Sequence, residues 1–245
     1  MTTTFALAMS TVDRGPVNYL GQTLASLGRG GVFASPLTAG VVVADGGSTD
    51  ATSLTRARGT WPVTSLYGRQ GQSAPTTAIQ ALESAIGHEA EWIIWLEDDV
   101  LVCGAFLESV DGWLTDHATP DYRLYALYCP YPEVRRAWQA HATSWRYPLA
   151  AFYGSQALVL RREDVRSLIT YFWASPWREA PSSQGFDLCL RDWHRQVYPG
   201  LDAMLATVPC LVNHVGHVSA LGHDAVFHTA PAWGGEDWSY QRLPC

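Results

Sequence analysis

Residues 92–100 read Trp92-Ile93-Ile94-Trp95-Leu96-Glu97-Asp98-Asp99-Val100, and their pattern sets the fold. Five apolar residues in a row suit a strand buried on both faces, because a strand with one wet face would alternate. The run stops at three consecutive acids. In an open α/β sheet, ligands sit beyond the carboxyl ends of such strands, so Glu97, Asp98 and Asp99 mark a candidate site as well as a strand end.

Working upstream, Val41-Val42-Val43-Ala44 is a second continuously apolar run, halted by the turn-rich Asp45-Gly46-Gly47-Ser48-Thr49-Asp50, which can also cap a helix. Thr4–Ser10 predicts a third buried strand, followed by Thr11-Val12-Asp13-Arg14. Pro16 opens a helix whose Leu20, Leu24 and Leu27 share one face, and Gly28-Arg29-Gly30-Gly31 ends it. Pro62–Leu66 predicts a strand, and Pro75–Ile86 a helix with Ile79, Leu82 and Ile86 on one side. Downstream come a helix over Ala105–Leu114, a strand over Leu124–Tyr128 and a loop-rich stretch over Cys129–Pro148. A strand at Ala157–Leu160, helices at Glu163–Phe172 and Phe186–His194, and a strand at Ala203–Val208 follow. From Asp224 onward the tail is rich in Gly, Pro and Trp without a regular period. The alternation predicts an α/β fold: a mainly parallel central sheet flanked by helices on both faces. With 245 residues and 47% hydrophobic content, residues 1–245 form one domain.

Composition excludes several chemistries. All 16 basic residues are arginine. A Schiff-base lysine and a lysine-bearing P-loop are therefore impossible, and an anionic ligand must be held by arginine, backbone N–H groups or a metal. The net charge of −7 provides no global field for nucleic acid or anionic membrane. The five cysteines are scattered with no CxxC pair, so neither a zinc ribbon nor a disulfide framework is indicated. No apolar run reaches the roughly 18 residues of a membrane span, and MTTTFALAMS lacks the basic start of a signal peptide. The expectation is a cytoplasmic protein of bacterial or viral origin.

Three acids at the rim of a low-dielectric sheet repel one another unless water or a cation offsets the charge. A hard divalent ion, Mn²⁺ or Mg²⁺, suits oxygen ligands and would keep positions open for water and phosphate. The competing reading is a solvated acidic turn or helix cap. Asp45, at the end of a central strand, is placed to contact a ligand; the competing reading is a turn-forming Asp that bonds its own backbone. Thr11 and Arg14 would line the same site.

These segments resemble a known family. Leu96-Glu97-Asp98-Asp99-Val100 is similar to the Asp-X-Asp-type metal motif of GT-A glycosyltransferases, in the Leu-Glu-Asp-Asp form of N-acetylglucosaminyltransferases. Val43–Thr52 resembles the first nucleotide-binding loop of the broader GT-A group. Ser10–Arg14, Tyr19-Leu20 and Thr23–Leu27 resemble the start of the N-acetylglucosaminyltransferase IV family, and Asn213–Leu221 resembles its His-Val-Gly-X-His-Ser-Ser-Leu stretch. Gly154-Ser155-Gln156-Ala157 and Phe186-Asp187-Leu188 fall between them in the expected order.

The resemblance implies a GT-A (Rossmann-like) fold with a nucleotide-binding half over about 1–100, an acceptor and catalytic half over about 101–223, and an irregular tail over 224–245. It implies inverting, metal-dependent transfer of GlcNAc or glucose from a UDP-sugar to a hydroxyl acceptor. Asp99 and His214 would be metal ligands, and Glu97 and Asp98 would hold ribose or metal-bound water. Thr11, Arg14, Asp45, Ser155 and Gln156 would bind the nucleotide-sugar, Asp45 through its base or ribose. His217 would reach phosphate or acceptor. Asp187 would be the general base, set against a plain ion pair with Arg191 four residues on; Asp192 and Glu179 are fallbacks. His214, His217 and His223 also permit a zinc site, though no HExxH helix accompanies them. The aromatics Trp138, Trp145, Tyr147, Trp173, Trp177, Trp233 and Trp238 suit either a sugar groove or loop packing. A sugar nucleotidyltransferase and a non-catalytic carbohydrate-binding protein stand as alternatives. The acceptor stays open among a glycan, a lipid-linked sugar and a hydroxylated DNA base, the last disfavoured by the net charge.

Overall fold

The computed structural model describes residues 3–13, 15, 17–49, 52–181, 184–216 and 229–241. The apolar runs become the central strands: β1 (Phe5–Thr11), β2 (Thr38–Asp45), β3 (Thr64–Tyr67) and β4 (Trp92–Glu97). They lie side by side in the order β3-β2-β1-β4, all parallel, so Thr11, Asp45 and Glu97 end at one rim. Helices α1 (Tyr19–Arg29), α2 (Thr52–Thr60) and α3 (Ala74–Ile86) supply the crossovers. α1 begins at Tyr19, where the Asn18 side chain accepts the Gly21 N–H, later than the sequence signal at Pro16.

The second half corrects the expectation of a mainly parallel sheet. Helix α4 (Phe106–His117) leads to β6 (Tyr125–Ala126), α5 (Pro132–Gln139), β7 (Ser144–Pro148), β8 (Ala157–Arg161), α6 (Arg162–Ala174), α7 (Phe186–Val197) and β9 (Ala203–Thr207). The full sheet has eight strands in the order β3-β2-β1-β4-β8-β6-β9-β7, and β8 runs antiparallel to both β4 and β6, as β7 does to β9. The sheet is mixed. Its physical reason is visible at residue 155: the chain enters β8 from the acidic rim, where Ser155 lies, and so must run away from it. Apolarity reports burial on two faces, not direction, and the β8 run could not distinguish the two senses. The stretch expected to be loop-rich, Cys129–Pro148, also contains α5 and β7.

A second sheet, unseen in the sequence, has two strands: β5 (Val100–Val102) against β10 (Val212–His214), antiparallel, with His214 opposite Val100. Each strand is three residues long, too short for a periodicity signal. Thr23 and Ser26 of α1 seat it: Thr23 Oγ accepts the Val100 N–H at 3.0 Å and Ser26 Oγ accepts the Val102 N–H at 3.0 Å.

Within residues 229–241 there is no helix or strand, but the segment is tied down. Cys210 N–H donates to Ala232 O at 2.7 Å, Ala230 N–H to Asn213 Oδ1 at 2.8 Å, and Ser26 Oγ to Glu236 Oε1 at 2.9 Å. No helix among the described residues is long and apolar enough to cross a membrane.

Candidate metal and nucleotide-sugar site

The three acids after β4 have different surroundings. Asp98 is buried and accepts a hydrogen bond from Thr11 Oγ at 2.6 Å, closing the β1 and β4 ends together. Its carbonyl accepts from Thr23 Oγ at 2.7 Å. Glu97 is half-buried and accepts from Ser155 Oγ at 3.0 Å. Asp99 is buried, with Oδ2 3.1 Å from His214 Nε2.

Glu97, Asp99 and His214 each offer one ligand atom, and these atoms all lie within 4.8 Å of one another. Opposite ligands of a single ion at about 2.1 Å stand about 4.2 Å apart, so the cluster needs only a small contraction to hold one. The small sheet makes this meeting: β10 brings His214 beside β5, and Val215 N–H donates to Asp99 O at 2.9 Å. Gly216 completes it. A Cβ there would fall 2.2 Å from Asp99 Oδ2 and 2.9 Å from His214 Nε2, so only glycine leaves both side chains in place. The donor set, two carboxylates and an imidazole, fits a divalent ion of the first transition row.

Asp45 is buried at the end of β2. Gly47 and Ser48 N–H donate to its Oδ2 at 3.2 and 3.0 Å, and the Ser48 hydroxyl donates to Oδ1. Its carboxylate thus organises its own turn, the competing role weighed from sequence. That turn packs closely on the loop after β3: a Cβ on Gly47, whose φ is 89°, would meet Arg69 O at 2.1 Å. Arg14, His217 and His223 lie outside the described residues.

On the other side of Glu97 a short segment links two carboxylates. Gly154 N–H points at Asp187 Oδ2 at 3.4 Å, and the next residue, Ser155, holds Glu97. Trp95 fixes this segment from below: its indole N–H donates to Ser155 O at 2.7 Å and its ring meets Phe186 edge-on at 5.0 Å. Glu97 N–H adds a bond to Gln156 O at 2.9 Å. The Gln156 side chain folds over Gly154, whose φ is 76°, where a Cβ would lie 2.3 Å from Gln156 Oε1. Asp187 stands half-buried in the first turn of α7, where a carboxylate is favoured by the helix's electrostatics. Among the described residues no ion pair joins it to Arg191, whose Nε, though buried, has no hydrogen-bond partner there. Among the described residues, neither Asp192 nor Glu179 hydrogen-bonds to this group.

Sequence assigns no role to Tyr128, and reads Thr23, Gly154 and Gly216 only as parts of the resembling segments. Tyr128 packs edge-on to His214 with ring centroids 6.1 Å apart. Its hydroxyl is pushed far above the ordinary tyrosine range, by burial first, then by Cys210 and Cys129, and then by Glu97 and Asp99. An apolar residue followed by Tyr gives no signal of such a role.

Neither a protein-family model nor a curated protein sequence matches the chain. Solved structures do. Staphylococcus aureus TarS, residues 1–349, superposes with a TM-score of 0.53 at 15% identity, covering 85% of this chain and 58% of that one. The same TarS fragment in complex with UDP gives a TM-score of 0.50 at 16% identity, covering 69% and 48%. The mannosyltransferase PcManGT from Pyrobaculum calidifontis, in complex with GDP-Man and Mn²⁺, gives 0.53 at 18% identity, covering 89% and 58%. The chain spans about half to three-fifths of the length of these structures. At these identities the likeness establishes fold: a mixed α/β sheet flanked by helices, in agreement with the GT-A architecture.

Proposed function

We propose that the chain is a metal-dependent, inverting glycosyltransferase that moves a sugar from a UDP-sugar to a hydroxyl acceptor. One observation carries the reading: Glu97, Asp99 and His214 converge at the end of a parallel strand, and adjacent residues of one segment tie Glu97 to Asp187. The fold neighbours include one with UDP and one with GDP-Man and Mn²⁺, which supports a nucleotide-sugar donor. The choice of GlcNAc or glucose rests on the sequence resemblance.

Glu97, Asp99 and His214 would hold the ion, with Mn²⁺ suited better than Mg²⁺ because an imidazole joins the carboxylates. Bound there, the ion would neutralise charge growing on the leaving diphosphate, a task no lysine can take. Thr11 and Asp98 would shape the nucleotide side as a bonded pair, and the Asp45–Ser48 turn would present its backbone to the base or ribose. Asp187 would take the acceptor hydroxyl's proton as that oxygen attacks the anomeric carbon from the face opposite the leaving group. Gly154 N–H would orient the carboxylate, leaving the other oxygen for the proton.

The test is a panel of UDP-GlcNAc, UDP-glucose, UDP-galactose and GDP-mannose with Mn²⁺, read as thermal stabilisation and slow release of nucleoside diphosphate. The reading expects one UDP-sugar to stabilise the protein and to be hydrolysed only with metal. Turnover undiminished by EDTA, or in Asp99→Ala, would remove it. Asp187→Asn should keep donor binding and lose transfer by at least about a hundredfold, the lower range for a positioned general base.

A further inference from the structure

The aromatic side chains separate by where the fold puts them. Trp145 stacks on Tyr147 at 5.4 Å, while Trp177, Trp233 and Trp238 pack on the core. Trp173, on α6, gives its indole N–H to Glu83. Trp173 is itself exposed, at 44%; the other rings belong to packing. Tyr153 differs in where it stands: its side chain is exposed at 40%, on a backbone that is fixed. Its N–H donates to Tyr147 Oη at 3.1 Å, and Tyr147 is buried between Tyr131 and Phe152, with ring centroids 5.6 and 6.0 Å away.

The position of that ring is informative. The next residue, Gly154, points its N–H at Asp187, and the one after, Ser155, holds Glu97. The Tyr153 hydroxyl is itself raised above its ordinary range, by burial first and then by Asp187 and Glu97, so both carboxylates lie within electrostatic reach of it. An exposed ring with a polar edge, on a rigid backbone beside the group that would deprotonate a hydroxyl, suits the apolar face of a sugar.

We propose that Tyr153 is the acceptor platform: its ring takes the face of an uncharged pyranose and seats that sugar's hydroxyl against Asp187. This deepens the transferase reading and rests on it. The acceptor is uncharged because the ionised groups acting on the ring among the described residues, Asp187 and Glu97, are both carboxylates and the chain carries −7 overall. A phosphodiester polymer or a DNA strand would meet like charge there, the ion at Glu97 being already matched by the donor's diphosphate.

The experiment uses the intact chain with the UDP-sugar and Mn²⁺. Acceptor probes are methyl glycosides of glucose, galactose, mannose and N-acetylglucosamine with chitobiose, and poly(ribitol phosphate) as the charged alternative. Three quantities are read for wild type, Tyr153→Phe and Tyr153→Ala: transfer to each probe, hydrolysis of donor to water, and thermal midpoint. The expected result is transfer to an uncharged pyranoside by wild type, with acceptor KM raised at least about tenfold in Tyr153→Ala and within about twofold of wild type in Tyr153→Phe. Donor hydrolysis falls by less than transfer does in both. Wild-type acceptor KM in Tyr153→Ala, or transfer confined to the polyanion, overturns the platform. So does an equal fall in hydrolysis and transfer, which would mark Tyr153 as a packing residue for the whole site. Absence of both donor hydrolysis and donor-induced stabilisation in wild type would instead overturn the transferase reading beneath it.

Discussion

Gly216 shows how much can depend on a missing side chain. Its Cα sits so near Asp99 and His214 that a methyl group would overlap the Asp99 carboxylate. Gly216→Ala is therefore predicted to weaken Mn²⁺ at least about tenfold, about 1.4 kcal/mol, with little change in metal-free thermal midpoint; a calorimetric titration measures it. Thr11→Val removes the hydroxyl that serves the buried Asp98 carboxylate, and should cost about 1–3 kcal/mol in urea unfolding. Residues of this kind divide by legibility. Glu97 and Asp99 stand out because acids after five apolar residues are anomalous on local grounds. Gly216 and Thr23 do not, since their roles come from contacts with Asp99 and Val100, more than 75 positions away in sequence. Asp187 was ambiguous between base and ion pair, and only the three-dimensional placement of Gly154 and Arg191 distinguishes its surroundings.

At the scale of elements, strand β4 does more than carry acids to the rim. Trp95 fills the sheet's face while its N–H reaches Ser155 O, so one side chain fixes both the segment that grips Glu97 and the start of α7. Trp95→Phe keeps an aromatic ring and removes that bond. The buried carbonyl then loses its donor, a loss of about 1–3 kcal/mol in urea unfolding, and transfer should fall more than donor binding does. Equal losses in the two would argue that the Trp95 bond serves stability alone. The sequence revealed β1, β2 and β4 because continuous apolar runs bounded by turn residues are strong signals. It missed β5 and β10 because three-residue strands have no period, and its expectation of a mainly parallel sheet missed the reversed β8 because direction is encoded in connections, not in hydropathy. Helix α5 escaped notice because its buried face is a single residue, Val134.

For the whole molecule, acid sensitivity and site chemistry fall at different ends. α7 carries Asp187 in its first turn and His194 in its last, about 10 Å further along the helix axis. His194 is fully buried and neither ring nitrogen has a hydrogen-bond partner among the described residues. Burial, and secondarily Arg123, pull its pKa from 6.5 to about 4. The unfolded chain therefore binds a proton that the folded one refuses. Stability from this group is full above pH 6.5 and is lost as pH falls toward 4, a change of about 3 kcal/mol. Asp164 opposes it: burial raises its carboxyl despite Tyr198 and Arg123, so its native state gains stability as pH falls through that raised value. His194→Leu should flatten the acid limb of stability between pH 6.5 and 4, measured by guanidinium midpoints, while leaving donor hydrolysis at neutral pH intact. The central claim is tested most directly by electron paramagnetic resonance of Mn²⁺ titrated into the protein with UDP. The account predicts a single tightly held ion in wild type, lost in Asp99→Ala and weakened in Gly216→Ala; a spectrum of free Mn²⁺ identical in all three would contradict it.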